Sequence, residues 1–181
     1  MSLSIKSMAL KYAALGFSII PLCPGDHSCM SDTHIATCRS PGKRPLIKEW
    51  QNAEVPSEQQ VEEWFRRWPS ANIGLVLGSR SGFVALDVDG QFGQDKLLEI
   101  SAGNHLSDAW QFSTPGGGMR YVYAAPKGRD CRKFSISDSN PNHIHSELAF
   151  LGDGCCTVLP PSKHANGGIY TWIKPTKFFY H

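Results

Sequence analysis

Apolar residues recur at two different periods along this chain. From Ser4 to Leu15 the apolar positions Ile5, Met8, Ala9, Tyr12 and Leu15 fall on one stripe, which predicts an amphipathic helix stopped by Gly16. Phe17 to Leu22 reads as a short strand. A second helix is predicted over Ser57 to Trp68: Ser57 caps it, Gln60 completes a capping box, and Val61, Trp64, Phe65 and Trp68 face inward. Between these helices, residues 23–45 form a long loop rich in Cys, Gly, Ser and Pro. Loops of that length in a compact domain are functional, metal-stapled or disordered.

Beyond Asn72 the pattern shortens toward strands. Asn72 to Leu77 and Gly82 to Val88 read as two strands joined through Ser79, Arg80, Ser81 and Gly82, which predicts a hairpin. Gly93 to Ile100 is a modest helix. Trp110 to Ser113 and Met119 to Tyr123 are strands around the glycine-rich turn at 116–118. His143 to Leu151 is a strand, Gly152-Asp153-Gly154 a turn, and Cys155 to Leu159 its hairpin partner. Ile169 to Ile173 adds a last strand. The order predicts an α+β fold, an antiparallel or mixed sheet with helices packed on one side. Neither repeats nor a dividing linker are visible, so one domain over 1–181 is expected.

Composition narrows this little. The chain has 181 residues, 41% hydrophobic and 19% charged, which suits a globular domain with a real core. A net charge of +2 excludes a generic polyanion binder, so any nucleic-acid contact must come from a local basic patch. Lys43, Arg44, Lys48, Arg66, Arg67, Arg129, Arg132 and Lys133 are candidates for one. Apolar runs stay too short to span a membrane and no signal-like start is present, so a cytoplasmic location and no membrane partner are expected. Six unevenly placed cysteines argue against a disulfide framework there. The early loop offers His27, Cys29, His34 and Cys38, with Cys23 nearby, as a candidate Zn²⁺ staple. It lacks a Cys-x-x-Cys pair, and ordinary loop thiols are the competing reading.

Four segments carry candidate chemistry. Asp87 and Asp89 end an apolar strand and, by alternation, point the same way, with Val88 on the opposite face. Two carboxylates so close repel unless a cation sits between them, and hard oxygen ligands suit Mg²⁺ or Mn²⁺. The plainer reading is a strand-ending turn in which Asp and Gly serve the backbone. Thr114 to Tyr123 places Gly117 and Gly118 just before Arg120: glycine lets a phosphate approach backbone amides, and a guanidinium grips phosphate in a fork. A simple hairpin loop is the alternative. His143, His145, Glu147 and Ala149 share one strand face, so an acid there could join Asp87 and Asp89; solvent-facing polar residues of a one-sided sheet are the alternative. Pro160 and Pro161 stiffen a turn that presents Ser162, Lys163 and His164.

In this order the segments resemble the N-terminal catalytic domain of bifunctional primase-polymerases, in the archaeo-eukaryotic primase superfamily. The resemblance runs from about Ala9 to Trp172. It is carried by Gly16 to Pro21, Gly42-Lys43-Arg44-Pro45, Trp50, Trp64 to Pro69, Asn72-Ile73-Gly74, Leu86 to Gly90, Thr114 to Gly118, Pro160 to Ser162 and Tyr170 to Trp172. It implies an RRM-like catalytic part over 81–175 joined to an N-terminal α/β module over 1–80. It also implies template-directed nucleotidyl transfer from dNTPs or NTPs onto a DNA template and primer, in plasmid, phage or mobile-element replication, with a helicase domain or subunit as partner. By that likeness Asp87, Asp89 and Glu147 hold Mg²⁺ or Mn²⁺ for two-metal phosphoryl transfer. Gly117, Gly118, Arg120, Ser162, Lys163, His164 and Lys43 hold the nucleotide. Arg120 stands where the family usually has a histidine; it can hold phosphate but cannot shuttle a proton at neutral pH. Aligning the Gly152-Asp153-Gly154 turn places the expected acid at Ala149, two residues after Glu147, a displacement of roughly 6–7 Å along a strand.

Two other functions compete. One is a catalytically degenerate module that binds DNA or recruits a replication protein. The other is a rolling-circle initiator endonuclease, in which His143 and His145 hold a metal and a tyrosine attacks DNA; Tyr170 and Tyr180 are its downstream candidates, on strand or tail and not on a helix.

Overall fold

The computed structural model describes residues 4–104, 109–140 and 147–174. Its elements in chain order are α1 (Ile5–Ala14), β1 (Ile19–Leu22), α2 (Asp32–Thr37), a 3₁₀ turn (Trp50–Asn52), α3 (Glu58–Arg67), β2 (Asn72–Val76), β3 (Phe83–Asp89), α4 (Gly90–Ser101), β4 (Trp110–Ser113), β5 (Met119–Ala124), β6 (Phe134–Ser137), β7 (Glu147–Leu151), β8 (Cys156–Leu159) and β9 (Thr171–Lys174). The fold is α+β. The chain divides into two compact units, Met1–Val76 with Cys156–Thr171, and Leu77–Cys155 with Trp172–His181. Among the described residues no helix is long and apolar enough to cross a membrane.

In the first unit, α1 packs against α3 and against β1 and β2 of a three-stranded antiparallel sheet of order β1-β2-β8. Both helices start as their sequences predict. The Ser4 hydroxyl accepts from the Ser7 amide, and Ser57 and Gln60 form a reciprocal capping box that satisfies amides the first helical turn would leave bare. Tyr12, Ile19, Ile20, Leu22, Val61, Ile73 and Leu75 build the core. The Tyr12 hydroxyl donates to the Pro160 carbonyl at 2.6 Å, fixing the start of the turn at 160–164.

The second unit is a six-stranded sheet of order β6-β7-β3-β5-β4-β9, with α4 packed on β3 and β7. A Cβ at Gly93 would run into the Glu147 carbonyl, so glycine is what lets α4 lie this close to β7. The central strand β3 pairs antiparallel with β5 on one side and β7 on the other.

Two expected hairpins are absent. Asn72–Leu77 does not pair with Gly82–Val88: β2 is buried along its whole length and already has β1 and β8 as neighbours, which leaves no edge for β3. A single bridge between Gly78 and Phe83 is what remains of the predicted pairing. Likewise β7 and β8 lie in different sheets, because β8 pairs with β2. Both predictions joined neighbours in sequence, whereas burial on both faces demanded long-range partners. The expected single sheet is therefore two. The short α2, inside the 23–45 segment, and the edge strand β6 were not anticipated. Of the strand expected over His143–Leu151, Glu147–Leu151 is observed, and 143–146 lie outside the described residues.

Candidate active site

On β3, Val84 and Val88 are buried on one face, and Asp87 and Asp89 project from the other, both half-buried. Asp89 occupies the cap position of α4 but makes no side-chain cap hydrogen bond, so a capping role does not account for its carboxylate. Gly90 follows with φ +68°, a left-handed turn for which glycine is suited.

Strand register places the other groups in two rows across the sheet. One row runs Ser135, Ala149, Asp87, Arg120, Phe112; the next runs Ser137, Glu147, Asp89. Ala149 is thus directly beside Asp87, and Glu147 directly beside Asp89. Although Glu147 is one pleat away from Asp87, its longer side chain brings a carboxylate oxygen into the same cluster. Oxygens of Asp87, Asp89 and Glu147 all lie within 4.8 Å of one another. The Ser137 hydroxyl donates to Glu147 Oε2 at 3.3 Å.

Arg120 meets this cluster from β5. Its Nη2 is 2.6 Å from Asp87 Oδ2, and the two side chains are only 13% and 15% exposed. The other oxygen, Asp87 Oδ1, is buried with no hydrogen-bond partner among the described residues. A buried carboxylate oxygen left unsatisfied is costly. Three carboxylates and one guanidinium carry a net charge of −2 if all are ionised, the complement of one divalent cation. The all-oxygen donor set is that of a hard ion such as Mg²⁺ or Mn²⁺. The residues fit a metal on these grounds.

The glycine turn abuts the same cluster. A Cβ at Gly118 would land on the Asp89 carboxylate and press on the Val88 carbonyl, so this position needs glycine for a close approach. Gly117, at φ +88°, turns the chain. The turn is also internally bonded: the Gly117 amide donates to the Thr114 carbonyl at 3.0 Å, and the Gly118 amide to the Thr114 hydroxyl at 3.1 Å.

The remaining expected nucleotide ligands lie in the first unit. Asn72, 1% exposed, clamps two loops there. Its amide nitrogen donates to the Gly42 carbonyl at 3.0 Å and the Lys163 carbonyl at 2.7 Å, and its oxygen accepts from the Lys163 amide at 2.9 Å. The clamp brings the loops bearing Lys43 and Lys163-His164 together. Ser162 is fully buried, and its hydroxyl accepts from the Ile73 amide at 2.9 Å. His164 Nδ1 accepts from the Asn166 amide at 3.2 Å.

A second donor cluster sits in the same unit. Donor atoms of Cys23, His27, His34 and Cys38 lie within 4.8 Å of one another. Cys29 is exposed and outside this group, and the buried Cys23 takes the place expected for it. Burial pushes the Cys23 thiol up from its ordinary range, and burial with the nearby Arg44 charge pulls His34 down.

Sequence reasoning missed two polar clamps: Asn72, read only as part of a motif, and Asp153, read only as a turn residue. Asp153 Oδ1 accepts from the Ser79 amide and hydroxyl, each at 2.8 Å, and Oδ2 from the Cys131 amide at 2.7 Å. These bonds hold its carboxyl below the usual range. The Asp-x-Asp strand and glycine turn carried a sequence signal; an acid bonding amides far away in sequence carried none. His143, His145 and Tyr180, the residues of the initiator reading, lie outside the described residues; Tyr170 is buried.

Over residues 9–178 the chain matches the family described as bifunctional DNA primase/polymerase, N-terminal. No curated protein matches the chain at a significant level. The match spans nearly the whole sequence, and the chain belongs to this family.

Proposed function

We propose that this chain catalyses template-directed nucleotidyl transfer on DNA, with Asp87, Asp89 and Glu147 as the ligands of a divalent cation, Mg²⁺ or Mn²⁺. The observation that carries the reading is the convergence of these three carboxylates on one sheet face, with Asp87 Oδ1 buried and unsatisfied. When bound, such an ion neutralises the triphosphate and lowers the pKa of the attacking 3′-hydroxyl. Asp87 and Asp89 hold it from one rigid strand, which fixes their separation, and Glu147 reaches in from the neighbouring strand. Arg120 orients Asp87 through their ion pair and sets a positive charge beside the approaching phosphates. Gly117 and Gly118 keep the turn beside Asp89 free of side chains, so a triphosphate can approach. Lys43, Lys163 and His164, brought together within the first unit, supply contacts to nucleotide or DNA phosphates; Ser162 acts through the backbone it holds at Ile73. A two-metal mechanism, a setting in plasmid, phage or mobile-element replication, and a helicase partner complete the proposal.

The test is primer extension on a DNA template with dNTPs or NTPs and Mg²⁺ or Mn²⁺. Asp87→Asn should lower incorporation by at least about 100-fold while the chain stays folded, because even outer-shell partners of metal ligands are worth 10–100-fold. Incorporation within a few-fold of wild type would sink the three-carboxylate site. One observation favours a second reading: Arg120 already neutralises part of Asp87. If the pair excludes metal, the chain is a catalytically degenerate DNA-binding module, and salt-dependent DNA binding without incorporation would establish it.

A further inference from the structure

Helix α2 presents a packing problem. It is six residues long, none of them buried, and Ile35 is 44% exposed. Helices this short are marginal in water without an apolar face in the core. Only His34, with Cys38 at the C-cap, is shielded at all in this stretch. Upstream, His27 and Cys29 take left-handed φ values of 56° and 63°, conformations that cost on the order of 1–3 kcal/mol each and need support from their surroundings. Burial of apolar side chains does not supply that support.

The inward-facing groups are metal donors. Cys23 and His27 are four residues apart, as are His34 and Cys38, so two pairs converge from the two ends of the loop. His27 Nε2 and His34 Nε2 are both buried and both lack a hydrogen-bond partner, with ring centroids 5.7 Å apart. Two buried imidazole nitrogens without a hydrogen-bond partner, beside two thiol sulfurs, fit a cation better than they fit each other. The sulfurs of Cys23 and Cys38 are 3.9 Å apart. Two thiolates at about 2.3 Å from a tetrahedral zinc stand about 3.8 Å from each other. The distance is far beyond the roughly 2.05 Å of a disulfide. Two thiolates also neutralise Zn²⁺, which suits a site with little access to water.

We propose that Cys23, His27, His34 and Cys38 form a structural zinc site that staples the 23–45 loop. Four protein donors close a tetrahedral shell and leave no open position, so the metal's role is folding, not catalysis. Binding displaces the two thiol protons, which makes affinity rise with pH. The staple reaches the basic loop beyond it through the backbone. The Cys23 amide donates to the Arg44 carbonyl at 2.8 Å, and the Cys23 thiol contacts the Ser40 carbonyl at 3.7 Å. Zinc thereby holds Gly42 to Pro45 against β1, with Leu22 bridged to Pro45.

Metal content of the full chain, purified under reducing conditions without added metal, tests this. About one zinc per chain is expected by elemental analysis, and exchange with Co²⁺ should produce the intense visible bands of a tetrahedral two-thiolate site. Cys38→Ser and His34→Ala should lose the metal, and Cys29→Ser should keep it. Asp87→Asn should also keep zinc, which separates this site from the carboxylate cluster. Should Cys38→Ser fail to fold, the wild-type cobalt spectrum and the Cys29→Ser metal content still decide. Absence of both zinc and a cobalt spectrum in the reduced wild type would overturn the proposal. So would loss of metal from Cys29→Ser equal to that from Cys38→Ser.

Discussion

Arg120→Met keeps most of the Arg120 volume and removes its charge. Asp87, Asp89 and Glu147 then face one another, oxygens within 4.8 Å, without the guanidinium that meets Asp87 at 2.6 Å. With an effective dielectric of about 20 and charge centres about 4 Å apart, the Asp87–Arg120 attraction is about 4 kcal/mol. Each carboxylate pair at about 5 Å repels by about 3 kcal/mol under the same assumption. Desolvation offsets part of the attraction, and measured losses on removing one partner of a buried pair are about 3–5 kcal/mol. The 13% and 15% exposures put this pair at the lower end, about 3 kcal/mol. For a chain of this size that is a fall in Tm of about 6–12 °C.

Differential scanning calorimetry with and without saturating Mg²⁺ separates the roles of the pair. A ligand at 100 times its Kd stabilises by about 2.7 kcal/mol. The variant has a more negative cluster, so Mg²⁺ should raise its Tm by more than it raises that of wild type. Arg120→Lys should recover part of the metal-free stability, because it restores the charge without the fork. An Arg120→Met variant that melts within about 1 °C of wild type, or gains no more from Mg²⁺, would refute the electrostatic reasoning.

Gly118→Ala should reduce incorporation about 10-fold or more while costing about 1–3 kcal/mol of stability, since its Cβ collides with Asp89 and the Val88 carbonyl; activity close to wild type would show that Asp89 can shift freely. Asp153→Ala removes three hydrogen bonds to a carboxylate at an exposed site and should cost about 1–2 kcal/mol in urea unfolding. Because the folded Asp153 carboxyl is held below its ordinary range, its contribution is complete above about pH 4 and lost as pH falls through the folded value; Asp153→Asn should flatten that acid limb of stability. Asn72→Ala leaves two carbonyls and an amide unsatisfied in a buried position and should cost about 3 kcal/mol; a loss under about 1 kcal/mol would mean that the loops at Gly42 and Lys163 hold without it.

Helices α1, α3 and α4 were legible because their signals are local, whereas α2, with no buried face, was not. Ser57 and Gln60 form the capping box their spacing predicts, and the stripe through Met8, Ala9 and Tyr12 is the buried face of α1. The α+β class followed from element order. Strand pairing did not, because a run such as Asn72–Val76 records that it is buried and not which strands bury it. The same limit hid Asn72 and Asp153: each bonds backbone groups far away in sequence, and no spacing encodes that. Asp87 and Asp89 were legible as a pair because period-two alternation fixes their common face. The identity of the fourth donor beside His27, His34 and Cys38 was not: Cys29 is the nearer in sequence to all three, whereas the fold brings Cys23 to them and leaves Cys29 exposed and outside the cluster.

The displaced acid shows how a sheet tolerates a change of position. Alternation keeps residues 147 and 149 on one face, so a carboxylate at either one shares the face of Asp87 and Asp89. At 149 it would stand beside Asp87, whose next neighbour in the row is Arg120. At 147 it stands beside Asp89, one pleat closer to the glycine turn. An acid at 147 must therefore reach back along the strand, and glutamate has one more methylene than aspartate with which to do so. The small, buried side chain of Ala149 leaves that path open. The three-carboxylate cluster therefore depends on the length of the side chain at 147 and the smallness of the one at 149. Glu147→Asp should weaken the site, although it preserves the charge. Ala149→Leu should do so too, although it removes no carboxylate.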